Sequence, residues 1–243
     1  MTDAPPPLHI GLLLFPQLLL LDLVGPWEVF SSVPYATTHL VWKTLEPVTA
    51  AKGMRALPTT TFADCPQLDV LCIPGGPGVA PLLNDDETLD FVRRQARHAR
   101  YTTSVCTGSL LLGAAGLLRQ RRAACHWLSM DMLTAFGAIP VEERVVVDGN
   151  LVTGGGVTAG IDFALQLTAL IWGPATAQGV QLGLEYAPHP PFDAGSPHSA
   201  PPEIVAAVRA GSAAMQAQRQ RLVQRAADRL APISGADTGG LPT

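Results

Sequence analysis

The sequence predicts an α/β fold with a mostly parallel central sheet. Two observations support this prediction. Apolar runs such as residues 8–15 and 70–73 are typical of parallel strands that are buried on both faces. Segments with helical spacing alternate with these runs, which is the pattern of strand–helix–strand units. In such a sheet, the functional site is expected at the carboxyl ends of the strands.

The first half of the chain alternates apolar strands with helices. Pro16 ends the first strand. The strand at 69–73 ends at a run of glycines and prolines from Pro74 to Gly78. The elements predicted here are, in order, a strand at 8–15, a helix beginning near Asp22, a strand at 39–44, a short strand or hairpin region at 48–60, a strand at 69–73 and an amphipathic helix at 86–99.

The second half continues the alternation and ends in a long helix. The elements predicted here are a strand at 101–105, a helix at 109–115, a short strand at 123–127, a helix at 128–136, two hairpin strands at 144–148 and 151–153, helices at 157–172 and 175–186, an irregular loop at 188–202 and a helix at 203–230. The last helix has an alanine-rich apolar stripe without aromatic anchors, so we expect it to dock on the body or on a partner subunit rather than on a membrane. Its predicted basic outer face comprises Arg209, Arg219, Arg221, Arg225 and Arg229.

Composition limits both the domain organisation and the class of ligand. The chain has 243 residues and an apolar fraction of 47%, which is enough for one large core. We expect an extension at 1–7, one domain at 8–202, the C-terminal helix at 203–231 and a flexible tail at 232–243. The net charge of −4 gives no electrostatic reason to bind nucleic acid or an anionic membrane, so a small neutral ligand is expected.

The cysteines and the N-terminus indicate the compartment. The four cysteines have neither zinc-type spacing nor the density of a disulfide framework, so reduced thiols and no metal site are expected. The first residues do not have the basic and apolar regions of a signal peptide. Gly11, Pro16 and Asp22 interrupt the apolar run that follows. We therefore expect a cytoplasmic protein.

Cys106 is the candidate nucleophile because it lies where a strand passes sharply into a helix. Thr102, Thr103 and Val105 favour a strand, and residues 109–115 favour a helix. The N–H groups and positive dipole end of that helix would point at the sulfur and favour the thiolate. The alternative is structural, because free cysteine often behaves as a small buried hydrophobe.

Asp22 and the glycine-rich loop are expected at the same edge of the sheet as Cys106. Asp22 is either a helix N-cap or a carboxyl group whose apolar surroundings make it a usable acid. Gly75 and Gly76 follow a buried strand, where their N–H groups either hold an anion or form a plain turn. A helix follows the run Gly154, Gly155 and Gly156. The run either allows the backbone to pack closely or forms the mobile wall of a pocket.

His126 and Trp127 form a further candidate motif. A histidine beside a tryptophan is usually structural, and the functional alternative is contact between His126 and Cys106. The sequence leaves both interpretations open.

These motifs together resemble those of a known family. The segments that carry the resemblance are 69–78, 104–109, His126-Trp127 and 153–162. They are similar to the PfpI-type members of the class I glutamine amidotransferase-like superfamily, and within it to the isocyanide hydratases. The resemblance extends over about residues 8–202 and is weaker in the C-terminal helix.

The resemblance implies a flavodoxin-like three-layer sandwich that forms a homodimer. It implies hydration of an organic isocyanide to an N-substituted formamide, without a cofactor. By resemblance, Cys106 is the nucleophile, Asp22 is the acid and base, and Thr107 is a further active-site residue. The same resemblance places Gly75, Gly76, Gly155 and Val157 around the substrate.

Two departures and two alternatives remain. Cys125 stands where a hydroxyl residue is expected, and the turn before Asp22 is unusually rich in leucine. One alternative function is a ligand-sensing regulatory module, since related domains are fused to helix-turn-helix regulators. About forty residues follow Pro202, and they predict one helix and a tail rather than a helix pair for the major groove. The other alternative is an aldehyde-scavenging or oxidation-responsive cysteine enzyme.

Overall fold

The computed structural model describes residues 7–230. The predicted tail at 232–243, and the predicted extension apart from residue 7, lie outside the described residues. Within the described range, no helix has both the length and the apolar character needed to cross a membrane.

The strands of the described chain form one large sheet and two small ones. The strands are β1 (Leu8–Leu13), β2 (Ala36–Trp42), β3 (Val48–Thr49), β4 (Arg55–Ala56), β5 (Thr60–Thr61), β6 (Val70–Ile73), β7 (Tyr101–Val105), β8 (Arg122–Ala123), β9 (Ile139–Pro140), β10 (Val145–Asp148) and β11 (Leu151–Gly154). The large sheet has the order β10-β11-β7-β6-β1-β2-β5. All its pairs are parallel except the β10–β11 hairpin.

Helices pack on both faces of this sheet. The helices are α1 (Leu20–Ser31), α2 (Val79–Leu82), α3 (Asp86–Ala96), α4 (Gly108–Ala114), α5 (Ala159–Trp172), α6 (Pro174–Gly183) and α7 (Pro202–Asp228), with a 3₁₀ helix at Trp127–Phe136. α1, α5 and α6 pack together, whereas α2, α3, α4, α7 and the 3₁₀ helix form a second group. The predicted fold class, a flavodoxin-like α/β sandwich with a mostly parallel sheet, is confirmed.

The centre of the sheet explains the apolar runs of the sequence. In β1, Leu12 pairs with Leu40 on one side and with Cys72 on the other. Leu12 and Cys72 are fully buried, as expected for central parallel strands that are covered on both faces. Because β1, β6, β7 and β11 are neighbours, the loops after their carboxyl ends meet at one edge of the sheet.

Some predicted elements have different bounds in the structure. The segment at 127–136 is a 3₁₀ helix, which ends at Gly137 in the left-handed conformation (φ 71°). The short strand predicted at 123–127 is limited to β8, because His126 already caps the 3₁₀ helix. The helix predicted at 175–186 runs instead from Pro174 to Gly183.

The C-terminal helix α7 docks on the body through α2, α4 and the 3₁₀ helix. The predicted basic outer face is wrong at one position. Arg219 is buried, together with Val223 and Ala226. These residues have the spacing i, i+4 and i+7, so they form one stripe on the helix. By contrast, Val208, nearer the start of the helix, is exposed.

Candidate active site

The backbone turns sharply at Cys106. Cys106 has a φ of 58° between β7 and α4, a conformation that is uncommon for a residue other than glycine. Its N–H lies 3.1 Å from the carbonyl oxygen of Gly154 and 2.8 Å from that of Gly155. Strained residues of this kind cluster at functional sites. The turn that the sequence predicts therefore exists, and the strand-edge hydrogen bonds to β11 and its following loop hold it in place.

A glycine allows α4 to begin close to β6. A Cβ on residue 108 would lie 2.1 Å from the carbonyl oxygen of Ile73, so only glycine fits without moving the backbone. Gly108 therefore brings the start of α4, and Cys106 with it, against the end of the neighbouring strand.

Asp22 lies in the first turn of α1 and is fully buried. The N-cap of α1 is Leu19, and no side chain caps this helix, so the N-cap interpretation of Asp22 is wrong. Instead, Oδ2 of Asp22 accepts a hydrogen bond of 2.9 Å from the N–H of Gly75. Oδ1 is buried and has no hydrogen-bond partner in the described chain. The carboxyl group is thus aimed into the protein, towards the cysteine turn.

The Gly75-Gly76 loop holds both Asp22 and Thr107. A Cβ on residue 75 would lie 2.7 Å from Oγ1 of Thr107 and 2.8 Å from Oδ2 of Asp22, so glycine is required there. The N–H of Gly76 donates to Oγ1 of Thr107 over 3.0 Å. The hydroxyl of Thr107 also lies 3.3 Å from the carbonyl oxygen of Gly76. The loop N–H groups therefore orient active-site side chains, and the hydroxyl of Thr107 bonds to the loop.

The protonation states of Asp22 and Cys106 depend on each other. Burial raises the pKa of Asp22 to about 7, against the opposing effects of the hydrogen bond from Gly75 and of the Cys106 thiol. Burial is also the main cause that raises the pKa of Cys106 above its ordinary value, and the negative charge of Asp22 adds to it. The expected lowering by the start of α4 is wrong as a net direction, because the loss of solvation outweighs it. The resting thiol is therefore protonated, with a carboxyl group beside it that titrates near neutrality.

A cavity of about 680 Å³ adjoins the cysteine turn. Its lining includes His126, Trp127, Gly155, Val157 and Arg209. Gly155 lies between the cavity and the nucleophile. It lines the cavity, and its carbonyl oxygen accepts from the N–H of Cys106. The structure thus brings Gly155 and Val157 to the wall of a cavity next to the site.

His126 has a structural partner. Its Nδ1 accepts from the N–H of Leu128 over 3.3 Å and caps the 3₁₀ helix. Its ring stacks with that of Trp127, at a centroid distance of 6.1 Å. Burial lowers the pKa of His126, and the charge of Arg219 lowers it further. His126 is therefore a neutral wall residue of the cavity.

Arg219 is a buried residue that the sequence analysis placed on the outer face of α7. It is 4% exposed, and its Nη1 donates to Oγ of Ser129 in the 3₁₀ helix over 3.0 Å. It lies on the same helix stripe as Val223 and Ala226. Across residues 7–230, no group of three or more His, Cys, Asp or Glu side chains is arranged to hold a metal ion.

Comparisons with known proteins show which family and which proteins this chain is similar to. Residues 9–170 match the model of the DJ-1/PfpI family. The chain is 59% identical to isonitrile hydratase from Pseudomonas putida over 223 residues, which cover 92% of this chain and 98% of that protein. It is 29% identical to the glutathione-independent glyoxalase DJR-1.2 of Caenorhabditis elegans, over 53% of this chain and 70% of the glyoxalase.

A solved structure extends the similarity to the fold. The crystal structure of a ThiJ/PfpI family protein from Pseudomonas syringae superposes with a TM-score of 0.88 at 43% identity. The superposition covers 92% of this chain and 94% of that one.

Proposed function

This chain belongs to the DJ-1/PfpI family, and we propose that it is an isocyanide hydratase. Such an enzyme adds water to an organic isocyanide and releases an N-substituted formamide. The observation that carries this assignment is the 59% identity to an isonitrile hydratase, which extends over nearly the whole of both chains. Isonitrile and isocyanide are two names for the same functional group.

The first step of the proposed mechanism adds the thiol of Cys106 to the isocyanide carbon. The proton of the thiol passes through Asp22 to that carbon, while the sulfur forms a bond to it. The product is a thioimidate, in which the former isocyanide carbon carries one hydrogen, the sulfur and a double bond to nitrogen. Support comes from the influence of the Cys106 thiol on Asp22 and from the pKa of about 7 for Asp22, which suits an acid and base at neutral pH.

The second step hydrolyses the thioimidate. Water attacks the carbon and gives one proton to Asp22, which passes it to the nitrogen, so that the carbon now carries a hydroxyl group. Collapse of this intermediate forms the carbonyl, breaks the carbon–sulfur bond and releases the formamide, while the hydroxyl proton returns to Cys106 through Asp22. The net reaction consumes one isocyanide and one water, and it requires neither an oxidant nor a reductant. Asp22 therefore acts as an acid in one step and as a base in the other.

Thr107 and the glycine loop act by positioning in this proposal. Thr107 fixes Gly76 through its hydroxyl, and Gly75 fixes the carboxyl of Asp22. Holding a catalytic group within a fraction of an ångström is worth a large part of an enzymatic rate. The adjoining cavity, with Val157 and Trp127 in its walls, would take the organic substituent of the isocyanide.

Turnover of an isocyanide tests the proposed function directly. We expect purified protein to convert an aromatic isocyanide, such as 4-nitrophenyl isocyanide, to the formamide. Chromatography of the product measures this conversion. Methylglyoxal serves as the comparison substrate. Folded protein that consumes methylglyoxal and forms no formamide would instead favour aldehyde chemistry.

We further propose that the chain acts as a cytoplasmic homodimer. Leu21 and Val24, on either side of Asp22 in α1, are 43% and 36% exposed. Exposed apolar side chains on one helix face are typical of an interface between subunits. The four cysteines are free thiols, as expected in a reducing compartment. We expect light scattering to give twice the chain mass of 25.6 kDa. A monomer at micromolar concentration would contradict the dimer.

A further inference from the structure

The cavity beside the cysteine turn has a wall that is apolar in one part and charged in another. The apolar part comprises Trp127, Met130, Val157 and Val205. The charged or titratable side chains of the wall are Glu142, Glu143, Arg144, His198 and Arg209. In pockets of this kind, apolar surface supplies most of the contact and a few polar groups determine which ligand fits.

The two carboxylates of the wall are engaged by other side chains. Oε2 of Glu142 lies 2.8 Å from Nε2 of His198. Oε1 of Glu143 lies 3.2 Å from Nη2 of Arg122. Because both carboxylates already have partners within the protein, neither is the first candidate to bind a substituent in the cavity.

The two arginines of the wall differ in their partners. Nε of Arg144 donates to Oδ2 of Asp162 over 2.7 Å. Arg209 makes no hydrogen bond or ion pair with any residue at 7–230. Its guanidinium group instead lies over the ring of Trp127, with Cζ 4.8 Å from the ring centroid. All the N–H donors of this guanidinium are therefore free to bind a ligand in the cavity.

The contact with Trp127 holds the guanidinium of Arg209 in place. Trp127 begins the 3₁₀ helix, and its ring stacks with that of His126 at a centroid distance of 6.1 Å. A guanidinium over an aromatic face is attracted by the ring and retains the N–H groups around its edge. Those donors match the two oxygens of a carboxylate, which they bind in a bidentate pair. Arg209 and Trp127 thus place a carboxylate-binding group beside an aromatic surface.

We propose that Arg209 and Trp127 form a subsite for a carboxylate, and that the preferred substrates are isocyanides whose organic substituent carries a carboxylate group. The inference rests on the proposed hydration of isocyanides by Cys106. Gly155, next to this nucleophile, and Arg209 line the same cavity, so a substituent that fills the cavity from the reacting carbon meets the guanidinium. A volume of about 680 Å³ accommodates an aryl group together with its carboxylate.

The subsite combines two parts of the chain. Trp127 lies within residues 9–170, which match the family model. Arg209 lies on α7, which begins at Pro202 and is outside that match. The charged half of the subsite therefore comes from a segment added to the matched region. Such an addition changes which substituent is preferred and leaves the nucleophile and its turn as they are.

A matched pair of substrates tests the subsite by turnover. 4-Isocyanobenzoate carries the carboxylate, and its methyl ester has a similar shape without the charge. We expect the native protein to hydrate the carboxylate with a kcat/KM about tenfold above that of the ester, as for one charge-assisted pair. Arg209→Met should abolish this preference, mainly through a higher KM for the carboxylate. Arg209→Lys, which retains the charge without the bidentate geometry, should retain part of it.

Arg221→Met is the matched control, because it removes the same charge from the same helix. Arg221 is exposed and lies about three turns further along α7, outside the wall of the cavity. We expect this variant to retain the native preference for the carboxylate. An equal loss of preference in Arg209→Met and Arg221→Met would overturn the subsite, since the overall charge of the protein would then attract the anion.

Binding of the reaction products separates the subsite from the proposed function. Calorimetric titration with 4-formamidobenzoate and with its methyl ester requires no turnover. We expect the native protein to bind the carboxylate about tenfold more tightly than the ester, and Arg209→Met to bind both about equally. If the protein hydrates both isocyanides without preferring the carboxylate, the subsite is overturned and the hydratase stands. If the products show the preference but neither isocyanide is hydrated, the proposed function is overturned and the carboxylate site stands.

Discussion

Cys106→Ala is expected to reduce isocyanide hydration by at least about 10⁴-fold, to the rate without enzyme. The reason is that no other described side chain occupies the strained turn beside Asp22. The fold should survive the change, because alanine is small and the turn is held by backbone hydrogen bonds to Gly154 and Gly155. Formamide production under saturating substrate measures the loss.

Two observations complete this test. The native protein, quenched during turnover and digested, should carry the mass of one isocyanide on the peptide that contains Cys106. Cys65→Ala is the matched control, because Cys65 is a free, half-buried thiol outside the site and its loss should leave turnover intact. Native turnover by Cys106→Ala, or an adduct on another cysteine, would show that the nucleophile is wrongly assigned.

Asp22→Asn is expected to lower kcat by about 10² to 10⁴-fold, the range for loss of a positioned acid and base. The amide retains an oxygen for the N–H of Gly75 but cannot transfer the proton. In the native enzyme, kcat/KM should rise with pH through about 7. Below pH 7, both Cys106 and Asp22 are protonated. Above it, the two groups share a single proton, and this singly protonated state is the active one. The variant should lose this rise.

The same substitution, Asp22→Asn, is expected to raise stability at alkaline pH although it lowers activity. The pKa of Asp22 is about 7 in the folded protein, whereas that of an unperturbed aspartate is 3.8, so the folded state favours the protonated carboxyl. The contribution of Asp22 to stability is therefore present below pH 4 and is lost as the pH rises to about 7. At pH 8, Asp22→Asn should be more stable than the native protein by up to about 4 kcal/mol, measured by urea unfolding. A variant that loses both activity and stability at pH 8 would contradict this account of Asp22.

Residue types determine how much of the site is predictable from the sequence. The strand at Tyr101–Val105 and the glycine loops follow from apolar runs and small residues, and their convergence follows from parallel topology. The positive φ of Cys106 does not, because nothing in the residue type requires it. The two interpretations of Asp22 could be separated only by its hydrogen bond to Gly75, which joins residues 53 positions apart.

Two predictions were wrong because they depended on burial. The thiol pKa of Cys106 was expected to fall near a helix start, but the loss of solvation at 3% exposure outweighs the dipole. Arg219 was assigned to the solvent because arginine is usually exposed. In the structure, α7 buries Arg219 on the same stripe as Val223 and Ala226.

The glycine loop has a consequence for which substrates the site can process. Enzymes that cleave esters and amides, or that act on aldehydes, must stabilise a negative oxygen, and they use free backbone N–H groups for this. Here the N–H of Gly75 is held by Asp22 and the N–H of Gly76 by Thr107. An isocyanide has no oxygen, and its attack by sulfur creates no oxygen anion. A loop whose donors are already occupied therefore disfavours carbonyl substrates while leaving the addition to an isocyanide carbon unaffected.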